Sequence, residues 1–398
     1  MLFSILGIAN DTNLSIFEDS QSSVPGTGNG SSAIALADDV EAEGKSLNEP
    51  LWRTLLVSDD TRAFFELLNY VIIVDVVCTF GVLSNILNIV VFVKLGLKDT
   101  VNIAFSGSPK TDLGSVLSLL WASVCRNPLL LAWEGGKARQ LDYLGVQYLT
   151  ASWPQGVFFR VIQFITGFLG GEKGLGVAFS PQASRAGECF QPEARPVKSL
   201  VTPRRTKLAV LTIYVTMLSA VIPAFCSMHF RQTVDLETNT TLLRLVYITP
   251  DGQALEGISF AINNFCLLTS FLIVVTCTAI LVRKLTVKTK WRMQTASGDV
   301  DKKEAIARKD EKVVKMVVII CVVFVVCYSL SSVNMALMLF LPDYSVVGPY
   351  RNIFQVVWSF IDTLEGVNSS VNIFVYFKMS SKFRRMFKNT FCCRTELK

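Results

Sequence analysis

With 398 residues, 51% of them hydrophobic and only 18% charged, and a mean hydropathy of +0.44, the chain is too apolar for a soluble two-domain protein and reads as a polytopic membrane protein. The net charge of +6 is carried by Lys and Arg clusters beside apolar runs, which points to a membrane surface and not to a nucleic acid. The ten cysteines show no metal-ligand spacing, and the single histidine, His229, gives no basis for His-based catalysis or a metal site.

Met1 to Ile8 is apolar but short and lacks a basic start, so a cleavable signal peptide is not expected and the first apolar span serves as the targeting signal. Residues 1–66 are rich in Ser, Gly and acids and read as a disordered tail. Their N-x-[ST] sequons at Asn10, Asn13 and Asn29 suit a glycosylated extracellular segment.

A span needs about 20 residues to cross a bilayer. Seven stretches fit: Leu67 to Val93, Asn102 to Cys125, Tyr143 to Leu169, Leu208 to Phe225, Ile258 to Val282, Met316 to Leu341 and Ile353 to Phe377. The second is spoiled in its first half by Ser106-Gly-Ser-Pro-Lys110, and Gly170 to Arg205 is too rich in Gly, Pro and Arg to be a membrane helix. A fourth sequon, Asn239, follows the fourth span. Eleven Lys or Arg lie between Arg283 and Lys315, whereas the first 66 residues carry eleven acids against Lys45, Arg53 and Arg62. The positive-inside rule then predicts an all-α seven-transmembrane bundle over 67–377 with its N-terminus outside. Residues 378–398 form a cytoplasmic tail. In it Phe383, Phe387 and Phe391 recur at helical spacing among cations, as in a short amphipathic helix lying on anionic lipid. Cys392 and Cys393 beyond it are candidate palmitoylation sites.

An aspartate in a bilayer helix costs several kcal/mol unless it faces partners inside the bundle, so Asp112 marks a functional site. Asn85, Asn368, Ser369 and Asn372 are its natural partners. Such a cluster could hold water or a sodium ion and be remade between two hydrogen-bonded states, or it could simply join helices. No other cofactor is expected. Arg160 on the third span, and Asp362 and Glu365 on the seventh, are further intramembrane charges, which either serve a ligand or form a structural ion pair.

From Leu67 to Cys393 the chain resembles the rhodopsin-like (class A) G-protein-coupled receptors. Gly81-x-x-x-Asn85 looks like the first-helix motif, Asp112 like the second-helix sodium-site aspartate, and Phe324-x-x-Cys327-Tyr328 like the sixth-helix aromatic switch. Asn368-Ser369-x-x-Asn372-x-x-x-Tyr376 looks like the seventh-helix motif. The resemblance implies a non-enzymatic plasma-membrane receptor that binds an extracellular peptide or small molecule and activates a heterotrimeric G protein. It places Gln155, Arg160, Asp362 and Glu365 at the ligand, and Glu172, Lys173, Arg204 and Arg205 at the G protein. Gln155 stands roughly where amine receptors carry an aspartate, so a monoamine would lack its counter-ion. The resemblance implies a disulfide from the third-helix top to the second outer loop, which Cys226 begins; no cysteine lies near Tyr148, and Cys125 at the outer end of the second span is the nearest alternative partner. Departures cluster at Ser106 to Lys110, at Glu172-Lys173 where the family has acid-Arg, and at Leu330 and Ile373 where it has proline. A divergent invertebrate chemosensory or neuropeptide lineage, or mistranslation over 106–110 and 170–195, would explain them. The alternatives in function are a secondary transporter, which lacks support from any internal repeat, and a receptor-like protein that no longer signals, since a lysine lacks the planar fork of arginine.

Overall fold

The computed structural model describes residues 57–96, 100–127, 141–178, 202–235, 240–294, 301–341, 343–345 and 348–391. The sequons at Asn10, Asn13, Asn29 and Asn239 and the cysteines Cys392 and Cys393 lie outside them. The described chain is mostly helical and falls into two compact units. One joins the residues up to Glu66 with Ala336–Trp358, and the other comprises Leu67–Met335 and Ser359 onward.

In the first unit, α1 (Asp59–Glu66) begins ahead of the expected span, inside what the composition assigns to a disordered tail. Ser58 explains the start: its Oγ accepts the Thr61 N–H at 3.1 Å, and Asp59 and Asp60 place negative charge on the first turn. Arg62 bridges Asp59 at 3.6 Å and donates to Gln355 at 3.0 Å, while Arg351 reaches Asp59 at 3.6 Å. Tyr344 packs edge-on to Phe354.

Helices run over every stretch that the apolar runs mark, and the second unit holds all of these but the residues within Ala336–Trp358. A π-helical segment, Leu67–Val74, leads into α2 (Asp75–Leu95). Next come α3 (Thr100–Arg126), the short α4 (Tyr143–Gln147), a π-helical turn at Tyr148–Ser152, and α5 (Trp153–Ala178). Then follow α6 (Pro203–Ser219) and α7 (Ile222–Ser227). Strands β1 (Met228–Asp235) and β2 (Thr240–Tyr247) form an antiparallel hairpin. The chain continues through α8 (Gly252–Gln294), α9 (Asp301–Phe340), α10 (Arg351–Met379) and α11 (Ser381–Phe391). Among the described residues, four tracts are long and apolar enough to cross a membrane: Asp59–Leu95, Pro203–Ser227, Gly252–Val287 and Glu311–Phe340. The helices α3, α5 and α10 carry the buried charges Asp112, Arg160, Asp362 and Glu365.

Three expectations are corrected. The chain is not all-α, because β-branched and leucine-rich residues of 228–247 pair as a hairpin with Phe230 opposite Leu245. Helix α3 runs unbroken through Ser106 to Lys110, with Pro109 inside it. The serines there turn their hydroxyls inward: Ser106 Oγ donates to the Ile103 carbonyl at 2.9 Å. Helix α5 also runs past Gly170 to Ala178. Its glycines let it lie close to neighbours, since a Cβ at Gly170 would come within 3.1 Å of Cys277 Cβ.

Packing is tightest where small residues sit. Val74, Cys78, Val116 and Leu119 form a buried cluster between the first helical tract and α3. A Cβ at Gly114 of α3 would fall 2.6 Å from the Phe158 ring of α5. Helix α11 is capped by Ser380, whose Oγ accepts the Phe383 N–H at 3.2 Å. Phe383 is fully buried against Phe92 and Tyr376, while Lys382, Arg384, Arg385 and Lys388 are exposed.

Candidate functional site

Two polar clusters meet α10 at successive turns. In the first, Asn85 of α2 donates through Nδ2 to the Gly81 carbonyl at 3.0 Å and the Ser369 carbonyl at 2.8 Å. Ser84 donates to the Ser370 carbonyl at 3.2 Å, and Ser370 Oγ returns a bond to the Val77 carbonyl at 3.0 Å. A side chain at Gly81 would press into the Ser370 hydroxyl, so this close approach of α2 and α10 requires glycine there.

Asp112 is fully buried. Its Oδ2 accepts from Asn372 Nδ2 at 2.9 Å and from Ser108 Oγ at 3.0 Å. Asp112 Oδ1, Asn85 Oδ1, Ser369 Oγ and Ser115 Oγ are buried without a protein partner, as are both polar atoms of Asn88. An orphaned buried polar atom costs about 1–3 kcal/mol. This set of one carboxylate with neutral oxygens has the hard-ligand chemistry that suits a small cation or water. No group of three or more His, Cys, Asp or Glu side chains that could hold a metal occurs among the described residues.

Asn368 Nδ2 donates to Tyr328 Oη of α9 at 3.3 Å. Tyr328 is held by Phe324 at 4.3 Å and Phe159 at 4.4 Å between ring centroids, and Cys327 is buried beside it. Tyr376 packs on Phe92 at 5.1 Å and Phe105 at 5.5 Å. Thus the residues singled out on four separate helices, Asn85, Asp112, Tyr328 and the Asn368 to Tyr376 run, converge along α10. Ser108, Ser115 and Phe159 join them without having been singled out.

The second cluster lies farther toward the start of α10. Gln155 Nε2 of α5 donates to Asp362 Oδ1 at 3.1 Å and to Glu365 Oε2 at 2.9 Å, so one amide bridges both carboxylates. Arg160 donates through Nε to the Asn263 carbonyl of α8 at 3.0 Å, its Nη1 is buried without a hydrogen bond, and its charge acts on Glu365. All four expected residues are buried. Arg126, whose Nε donates to Gln147 Oε1 at 3.1 Å and whose guanidinium lies 4.4 Å from the Tyr70 ring centroid, acts electrostatically on Asp362.

Of the residues assigned to the G protein, Arg204 and Arg205 are exposed in the first turn of α6, whose Thr202 cap accepts the Arg205 N–H at 3.3 Å. Glu172 and Lys173 belong to the last turns of α5, and their side chains lie outside the described ones. The expected Cys125–Cys226 pairing is not made. Both are free thiols, Cys125 buried in α3 and Cys226 exposed on α7.

Mostly helical architecture, four strongly apolar tracts and buried polar residues focused on one helix define a multi-pass membrane protein. The family described as serpentine type 7TM GPCR chemoreceptor Srw matches residues 195–394. This is half of the chain, and the protein belongs to that family. It is a receptor family and not an enzymatic one. No curated protein matches the chain.

Proposed function

We propose that the protein is a plasma-membrane chemoreceptor of the rhodopsin-like kind, crossing the membrane seven times with its N-terminus outside. It converts binding of an extracellular peptide or small chemosensory ligand into nucleotide exchange on a heterotrimeric G protein. The observation that carries this reading is the bond from Asn372 to Asp112, which ties α10 to α3 and can be remade when α10 shifts. The neighbouring bond from Asn368 to Tyr328 couples α9 to the same event.

Ligand engages Gln155, Arg160, Asp362 and Glu365, where charges already buried favour a polar partner over an apolar one. A sodium ion held by Asp112, with Ser369, Ser115 and Asn85 around it, stabilises the resting state. G protein meets Arg204, Arg205, Glu172, Lys173 and the basic ends of α8 and α9. The exposed cations of α11 face anionic lipid, and palmitate on Cys392 and Cys393 holds the segment there. Glycans on Asn10, Asn13, Asn29 and Asn239 mark the outer side.

Membranes bearing the full chain, exposed to panels of peptides and small odorants, should load a GTP analogue onto at least one class of G protein. Saturable ligand binding without exchange on any class would leave a receptor-like protein that has lost coupling, the outcome that Lys173 in place of arginine favours. Accumulation of ligand inside sealed vesicles would instead mean transport.

A further inference from the structure

Three elements that are distant in sequence meet at one carboxylate. Glu256 lies in the first turns of α8 and is almost wholly buried. Tyr148, in the π-helical turn before α5, donates its hydroxyl to Glu256 Oε1. Tyr247, at the end of β2, donates its hydroxyl to Oε2. Both carboxylate oxygens are therefore occupied by phenols from different elements, and hydrogen bonds to an ionised group are the stronger kind.

The carboxylate ends a longer seam. Leu141 pairs with Leu243 as an isolated bridge, and the Asp142 N–H donates to the Leu243 carbonyl at 3.0 Å. Two residues along the strand, Leu245 packs on Gly145, where a Cβ would lie 2.9 Å from Leu245 Cβ. Two further on, Tyr247 reaches Glu256. Residues 243, 245 and 247 share one face of β2, as the two-residue period of a strand demands, and they follow the chain from 141 through 145 to 148. Ile248 N–H donates to the Ser227 carbonyl at 2.8 Å, and a side chain on Gly252 would meet that same carbonyl at 3.0 Å. The base of the hairpin is thus fixed on both sides.

We propose that Glu256 is the positioning residue for the β1–β2 hairpin, and that Tyr148 and Tyr247 fasten the hairpin to the beginnings of α5 and α8 by hydrogen bonds, the described cysteines being free thiols. Cys125 and Cys226 play no part in this tether. Burial raises the pKa of the Tyr247 phenol, and its bond to Glu256 raises it further, so it remains a donor through neutral pH. Because these helices carry Gln155 and Asn263, the tether also sets where the hairpin stands relative to the second polar cluster. A response that depends on the hairpin should be indifferent to reductant.

The test is hydrogen–deuterium exchange over 228–247 on the full-length protein in nanodiscs, which requires neither a known ligand nor an orientation in a cell. Tyr148→Phe combined with Tyr247→Phe removes two oxygens and no ring packing. It should speed exchange in the hairpin at least about a hundredfold, the scale of two lost charge-assisted bonds, with exchange in α2 and α3 unchanged. Glu256→Gln, which keeps the shape, should give a smaller rise. Reductant added to the wild type, and Cys226→Ser, should change nothing. Faster exchange of the wild-type hairpin in reductant, or unchanged exchange in the double variant, would overturn the tether. Neither outcome bears on whether the protein activates a G protein.

Discussion

The two polar clusters along α10 solve opposite problems. Around Asp112 a single carboxylate is met by Asn372 and Ser108, and several neighbouring oxygens are left over. Around Gln155 there are two carboxylates and one amide shared between them. The first cluster is over-supplied with neutral groups and can trade partners at little cost, as a switch must. The second shares one amide between two acids, with Arg126 and Arg160 acting on them only through their charge, and changes greatly when a ligand brings another donor. Buried charges of similar exposure thus differ in how replaceable their partners are, and replaceability separates a switch from a recognition site.

Gln155→Leu should be the most damaging change, since it strips a donor from two buried carboxylates together. A loss of about 3–6 kcal/mol is expected, two hydrogen bonds to carboxylates at about 1.5–3 kcal/mol each, read as a fall in the melting temperature of the solubilised protein. Asn372→Ala removes one charge-assisted bond while Ser108 stays, and about 1.5–3 kcal/mol should be lost. If the second loss exceeds the first, the contrast between the clusters is wrong.

Gly114→Ala probes the contact between α3, which bears Asp112, and α5, which bears Gln155. The new methyl must displace the Phe158 ring, which should cost about 1–3 kcal/mol by overpacking. Both clusters should feel it, so sodium-dependent stability and ligand binding should fall together. A change in one alone would mean that the clusters are not joined through this contact. The smallest effect is expected from Ser108→Ala, about 1.5 kcal/mol, the low end for a bond to a charged group, since Ser108 lies one turn from Asp112 on the same helix. Replacing sodium by choline should lower the melting temperature of the wild type but not of Asp112→Asn, and an equal response in both would remove the ion from the account.

How far these features could be read from the chain varied with the distance over which their causes act. Asp112, Asn368 and Asn372 announced themselves because a polar residue in an apolar run has few explanations. The seven apolar stretches are helical, the fourth divided between α6 and α7. The patch from Ser106 to Lys110 was misjudged, because its polarity is answered from elsewhere: Ser108 turns to Asp112, and Pro109 is tolerated inside a helix packed on α2, α5 and α6. The start of α1 was signalled by Ser58 and two acids, a cap that the acidic tail composition obscured. Glu256 could not be found by periodicity or spacing, for its partners come from a π-helical turn and a strand end, and only the fold brings them to it.

The switch is tested most directly by exchanging its two partners. Asp112→Asn and Asn372→Asp should each reduce ligand-stimulated GTP-analogue loading by about tenfold or more, the scale of one charge-assisted bond. The combined Asp112→Asn, Asn372→Asp protein, which restores an amide facing a carboxylate, should recover most of that loading. If the double variant is as impaired as the worse single variant, the Asp112–Asn372 bond is structural glue and not the element through which the receptor changes state.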